Sequence, residues 1–398
     1  FSENVFNATG GSGAMEVSDF IFSISGGVAG LSSATPTSIS GSGAGYALGI
    51  GLNAAPSGAE TLTVNPASNA IYDSQDNVAA TSQSNNTVAL NDKVAATITG
   101  VALAADNTTL AVTMSEAVFN TNGGSGALEA TDFVFSISGG TATLSAATPT
   151  SISVSGNVYT LGFGLSGTPN GDETLTVTLA EAAVFDAKAN VSSMSQSNNT
   201  VKLNDKGLPT ITGVALSADN TTLAVTMSEA VFNTNGGSGA LEASDFVFSI
   251  SGGTATLSAT TPTSISISGN VYTLGLGLSG TPTGDETLTV NPASSAIFDA
   301  SGNIAGTSQS NNTATLNDQT APVISSVALA ANNSTISVSF SVAVYNTNGG
   351  SGALEASDFA LTVTNDGTAA LASSTPSSIS VSGNTYTLGI SFSTAASG

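Results

Sequence analysis

The 398-residue chain contains no cysteine, no histidine, no tryptophan and no arginine. Without cysteine there is no disulfide framework, no thiolate nucleophile and no soft metal site. Without histidine the chain lacks the commonest metal ligand and the usual general base near neutral pH. Positive charge is scarce too: Lys93, Lys188, Lys202 and Lys206 stand against 27 acidic residues, a formal net charge of −23. Such a surface repels phosphate backbones and anionic lipid, which excludes nucleic acid and membrane surfaces as partners and favours cations. No run of 18 apolar residues occurs, so no segment is expected to cross a bilayer as a helix. Charged residues make up only 8% of the chain, but 40% is hydrophobic and regularly spaced, a pattern of packed cores rather than disorder.

What is present is an internal repeat. Val-Phe-Asn recurs at Val5, Val118 and Val231, and returns as Val-Tyr-Asn at Val344, in steps of 113 residues. Asp-Phe recurs at Asp19, Asp132, Asp245 and Asp358, and Asn-Asp at Asn91, Asn204 and Asn317. One extra residue falls in the last repeat, around Asn365-Asp366-Gly367. Boundaries placed after Asn-Asp give four repeats, 1–93, 94–206, 207–319 and 320–398. The first is read as lacking its beginning and the last its end. A repeat of this length suits one sandwich with a core of its own.

Within the third repeat, apolar and polar residues alternate as in half-buried strands. Strands are expected over 210–216, 223–227, 246–250, 254–257, 264–267, 271–274, 286–290 and 313–316, with Phe246, Phe248 and Ile250 on one face. Gly269-Asn270 marks a hairpin, and at most a turn is helical, near 241–244. Seven to eight short antiparallel strands, each with a wet and a dry face, predict an all-β sandwich in every repeat. A constant period and short linkers predict a rod.

Three segments add a family resemblance. Pro322-Val323-Ile324 follows an Asp-containing linker; Met-Ser-Glu-Ala-Val occurs at Met114–Val118 and Met227–Val231; Phe-Asp-Ala-x-x-Asn occurs at Phe185–Asn190 and Phe298–Asn303. Their order and spacing resemble bacterial immunoglobulin-like repeats of giant adhesins and S-layer-type surface proteins. The pattern departs at Ala95-Ala96, where proline is expected, and at Val342, which stands where Glu116 and Glu229 stand. The resemblance implies an extracellular stalk, adhesive or coat role, and calcium at domain junctions.

The recurring acids supply the ligands that such a site needs. If the sheets alternate as expected, the linker Asp92, Glu116 after the second strand, and Asp186 with Asn190 before the last strand meet at one junction. Asp205, Glu229, Asp299 and Asn303 are the next set. Calcium takes six to eight oxygens in a flexible arrangement, and these groups with backbone carbonyls offer them. The alternative is that they are solvated turn and capping residues. Val342 predicts a weaker or missing site at the third junction.

Other motifs point away from catalysis. The loop Asn120–Glu129 lacks the lysine of a phosphate-binding loop, and Leu128 breaks the Gly-Gly-x-Gly-x-Asp calcium pattern, although Glu129 and Asp132 offer a minor second cation site. Asp172-Glu173 and Asp285-Glu286 point to opposite faces of a strand, cannot flank one bond, and are read as solvated. Asn-x-Ser/Thr sequons at Asn85, Asn107, Asn198, Asn220, Asn311 and Asn333 are read as turns, with glycosylation open. The chain is therefore expected to be no enzyme but a stalk or filament segment whose partners are its neighbouring repeats and other copies of itself. A self-assembling fibre or S-layer subunit is the alternative, and a glycan-binding array ranks below both.

Overall fold

The structure is a computed structural model that describes residues 1–364 and 369–394; the extra residue near Asn365-Asp366-Gly367 lies outside them. The described residues form short antiparallel strands and single 3-10 turns, with no α-helix. Two compact units emerge, Phe1–Gly207 and Leu208–Gly398, each holding two of the repeats.

In the first unit, the second repeat is complete. Its four-stranded sheet runs in the order Ile98–Leu103, Thr109–Met114, Val158–Gly162, Ser151–Ser155, and its three-stranded sheet in the order Phe133–Ser138, Thr174–Leu179, Thr200–Lys202. Labelled A to G along the chain, these strands form sheets A-B-E-D and C-F-G, the arrangement of an immunoglobulin constant-type sandwich. Short ladders join Val118–Phe119 to Phe185–Asp186 and Thr143–Leu144 to Leu165–Ser166.

Local sequence explains the strands. Leu110, Val112 and Met114 alternate with Thr109, Ala111 and Thr113, so one face goes wholly inward while the other stays half-buried. Phe133 and Phe135 face them from the other sheet, and Val134 between them points outward. The resulting core draws only on residues from Ala96 to Leu203, and the corresponding core of the third repeat, in the second unit, only on Ile211 to Leu316. Each complete repeat therefore buries an apolar centre of its own, the dominant favourable contribution to its folding.

The third repeat follows the same plan. Its sheets are Ile211–Leu216, Thr222–Met227, Val271–Gly275, Ile265–Ser268 and Phe246–Ser251, Thr287–Pro292, Thr313–Thr315. The expected hairpin turns at Gly269-Asn270, and the helical turn is a 3-10 turn at Ala243–Asp245. The short strand Leu278–Ser279 was not foreseen; with two residues it carries no alternation.

The first and fourth repeats show part of the same plan. The first has the three-stranded sheet Phe20–Ser25, Thr61–Pro66, Thr87–Ala89, but only the hairpin Ile39–Ser42/Gly45–Leu48 of the other. The fourth has the four-stranded sheet Ile324–Leu329, Thr335–Phe340, Thr385–Gly389, Ile379–Ser382, with no three-stranded sheet facing it among the described residues.

Candidate metal centre

In the first unit the expected convergence is present. Asp92 sits in the linker after the last strand of the first repeat. Glu116 follows the second strand of the next repeat, and Asp186 ends the short strand Phe185–Asp186. One carboxylate oxygen from each lies within 4.8 Å of the others. Asp186 is fully buried and the other two are partly covered.

Each acid is held by local backbone geometry. Asp186 Oδ1 accepts the N–H groups of Lys188 (2.8 Å) and Asn190 (2.9 Å), closing a turn, and Asp186 Oδ2 accepts Asn190 Nδ2 at 2.7 Å. Asn190 Nδ2 also donates to the Asp92 carbonyl at 3.3 Å. Two oxygen acceptors dictate that the nitrogen of this amide faces them, so Asn190 orients Asp186 and the linker. Asp92 Oδ1 accepts Val94 N–H at 2.9 Å.

Glu116 records the crowding. Burial, followed by the negative charges of Asp186 and Asp92, pushes its carboxyl above the usual range. Three acids with no basic partner among them make an all-oxygen, electron-rich cluster able to hold a hard cation.

In the second unit Asp299 rebuilds the turn, accepting Ser301 N–H (2.9 Å), Asn303 N–H (2.8 Å) and Asn303 Nδ2 (2.7 Å). Glu229 follows the strand Thr222–Met227 and is partly buried. Asp205 belongs to the first unit, where its Oδ1 accepts Gly207 N–H at 2.7 Å.

The linker itself is fastened by asparagines whose sequons suggest no more than turns. Asn107, in the left-handed region at φ 59°, donates Nδ2 to Asn204 O at 2.7 Å and accepts Asn204 N–H at 2.9 Å. Asn220 and Asn317 do the same in the second unit. Asn107 and Asn220 are buried, with both amide atoms engaged. The 113-residue recurrence of Asn-Asp was the available signal.

Glu173 and Glu286 were read as solvated, yet both, like Glu60, are completely buried; only Asp172 and Asp285 face solvent. Glu173 Oε1 accepts the N–H groups of Thr141 (2.7 Å) and Ala142 (2.9 Å), and its Oε2 those of Asn170 and Gly171 (both 3.1 Å). Glu286 and Glu60 make equivalent cages. The N–H of Ala29 at Glu60 and that of Ala255 at Glu286 contribute most to holding these carboxyls at about 2, against the opposing effect of burial. At Glu173 burial pulls upward, but the N–H groups of Ala142, Thr141 and Asn170 outweigh it and the carboxyl is lowered. Gly140 makes room: its φ is +59°, and a Cβ there would collide with the Glu173 carboxyl.

The Glu129 and Asp132 pair also has a structural task. Asp132 Oδ2 accepts Glu129 N–H at 2.7 Å and caps the 3-10 turn Ala130–Asp132, as Asp19, Asp245 and Asp358 do in their repeats. No model of a known protein family and no curated protein matches the chain.

Proposed function

We propose that the chain is a structural repeat region, a stalk or spacer, of a large extracellular bacterial surface adhesin or filament, with calcium stiffening the joints between repeats. The observation that carries the reading is the meeting of Asp92, Glu116 and Asp186 from a linker and two loops of the following repeat. A cation there bridges the end of one sandwich to the start of the next and offsets the repulsion from Asp186 and Asp92 that adds to the larger effect of burial at Glu116. Asp92, Glu116 and Asp186 act as ligands and Asn190 as the residue that orients them. The sequence supports a non-catalytic role, since it has neither histidine nor cysteine to activate a nucleophile. The resemblance of its segments to surface repeats supports the location.

The test is a calorimetric titration of calcium into the 398-residue chain, paired with small-angle scattering with and without the ion. Saturable binding with reduced flexibility is expected. Glu116→Gln should weaken binding about tenfold or more while raising cation-free thermal stability, because it removes one of three crowded charges. No heat and no change in scattering on adding calcium would remove the ion from the reading.

The alternative, a self-assembling fibre or coat subunit, draws support from the low share of charged residues, 8%, which leaves surfaces able to pack against copies of themselves.

A further inference from the structure

A sheet edge is a row of unpaired N–H and C=O groups, and folded proteins blunt such edges with bulges, charge, shortness or a covering loop. The two sheets of a complete repeat end in strands A and D and in strands C and G. Strand A is bulged, between Ile98 and Gly100 in the second repeat and between Ile211 and Gly213 in the third. Strand G has only three residues, and in the second repeat it carries Lys202. Strand C is capped by the loop that follows it: Phe135 N–H donates to Ala147 O, and Phe248 N–H to Thr260 O, both at 2.7 Å. Strand D has none of these devices. Ser151–Ser155 and Ile265–Ser268 pair regularly with strand E on one side and, among the described residues, with no strand on the other.

The sequence of strand D is a palindrome in kind. Ser151-Ile152-Ser153-Val154-Ser155 and Ser264-Ile265-Ser266-Ile267-Ser268 alternate hydroxyl and branched apolar side chains about a central serine. The turn Gly156-Asn157 closes on the pair Ser155 and Val158, so Ser151, Ser153 and Ser155 exchange hydrogen bonds with strand E. Ile152 and Val154 therefore turn their N–H and C=O groups to the open side. Val154 and Ile267 are 58% and 47% exposed, while Ile152 and Ile265 lie half-buried against their cores. Charge is absent around them. No residue from Phe133 to Gly171, or from Phe246 to Gly284, is charged, in a chain of net charge −23. Two copies meet least repulsion along this flank.

We infer that strand D is a self-pairing edge, and that its occupant is strand D of a second copy of this chain. The inference stands on the edge alone and does not depend on cation binding. Antiparallel pairing centred on Ser153 sets that serine against its own counterpart, Ile152 against the other copy's Val154, and Ser151 against its Ser155. The open groups of Ile152 and Val154 then complete their backbone hydrogen bonds across the joint. Each exposed Val154 comes under cover of an isoleucine, and two four-stranded sheets become one continuous sheet. The contact is two-fold, with the same patch used by both partners. The fourth repeat carries the same edge, Ser378–Ser382, with Val381 exposed, whereas Gly41 stands at that place in the first. Because several repeats carry the edge, pairing continues past a dimer.

The chain has no cysteine, so one introduced at the centre of the joint reports on it directly. A non-hydrogen-bonded antiparallel pair brings its Cα atoms to about 4.5 Å, within disulfide reach. The 398-residue chain bearing Ser153→Cys, Ser266→Cys and Ser380→Cys should form disulfide-linked oligomers on mild oxidation. The chain bearing Ser155→Cys, Ser268→Cys and Ser382→Cys should lose that cross-link, since in the same pairing these positions lie ~13 Å from one another. In sedimentation over a concentration series, the mass of the parent chain should rise. Val154→Lys, Ile267→Lys and Val381→Lys together should move that rise to about tenfold higher concentration or beyond, although they lower the net negative charge, because each places an ammonium under cover at the joint. They should leave the melting curve unchanged, as all three side chains are exposed in their own repeats. A parent chain that stays monomeric at all concentrations overturns the inference. So does association that the lysines leave intact, or equal cross-linking at the two sets of cysteines.

Discussion

Three glutamates in this chain do what disulfides do in other small sandwiches. Glu173 gathers N–H groups from the adjacent Asn170-Gly171 and from Thr141, 32 residues before it in sequence, and pins them to the start of strand Thr174–Leu179. Because the folded carboxyls at Glu60 and Glu286 lie at about 2, below the ordinary glutamate value of 4.5, they contribute stability that is complete above about pH 4.5 and lost as pH falls toward 2. Glu286→Gln, which sets an amide against N–H donors, should lower the melting temperature by ~5–10 °C at pH 7. The gap to the parent chain should close in melts recorded near pH 2; a gap independent of pH would count against the carboxylate's role. A second residue-level prediction concerns Ser192. Its hydroxyl is buried and, among the described residues, has no hydrogen-bond partner, while the equivalent positions are Ala79 and Ala305. Ser192→Ala should stabilise the chain by about 1 kcal/mol in urea titrations.

At the scale of the element, alternation decides everything about a strand and nothing about its neighbours. Strand Phe133–Ser138 follows its sequence pattern, with Phe133 and Phe135 inward and Val134 outward. Phe135→Ala should therefore cost about 3–5 kcal/mol, whereas Val134→Lys should change stability by no more than ~0.5 kcal/mol; chemical denaturation of the two variants separates them. The strands of the third repeat were legible because Val, Ile, Leu and Thr alternate over five or six residues, enough to mark period two. The two-residue strand Leu278–Ser279, which pairs with Thr256–Leu257, was not, since two residues carry no alternation. Asp92, Glu116 and Asp186 could be grouped from sequence because strand alternation sends their loops to one end of the sandwich. The buried state of Glu173 could not, because nothing in Asp-Glu says which of the two will meet the N–H groups of a distant Gly-Gly turn.

At the scale of the molecule, cores that stop at Ala96 and Leu203, and at Ile211 and Leu316, predict modular folding. Residues 94–206 on their own should fold and melt in one cooperative transition, with equal calorimetric and van't Hoff enthalpies; a helical spectrum or a broad, non-cooperative melt would contradict the module. The 113-residue period, the all-β class and the inward faces were written into the sequence, because side-chain alternation is a local property of an extended backbone. Tertiary structure alone decided which acids became dry anchors and which met as a cluster. Those outcomes depend on the N–H groups and apolar faces that folding brings from tens of residues away, and no local pattern carries that information.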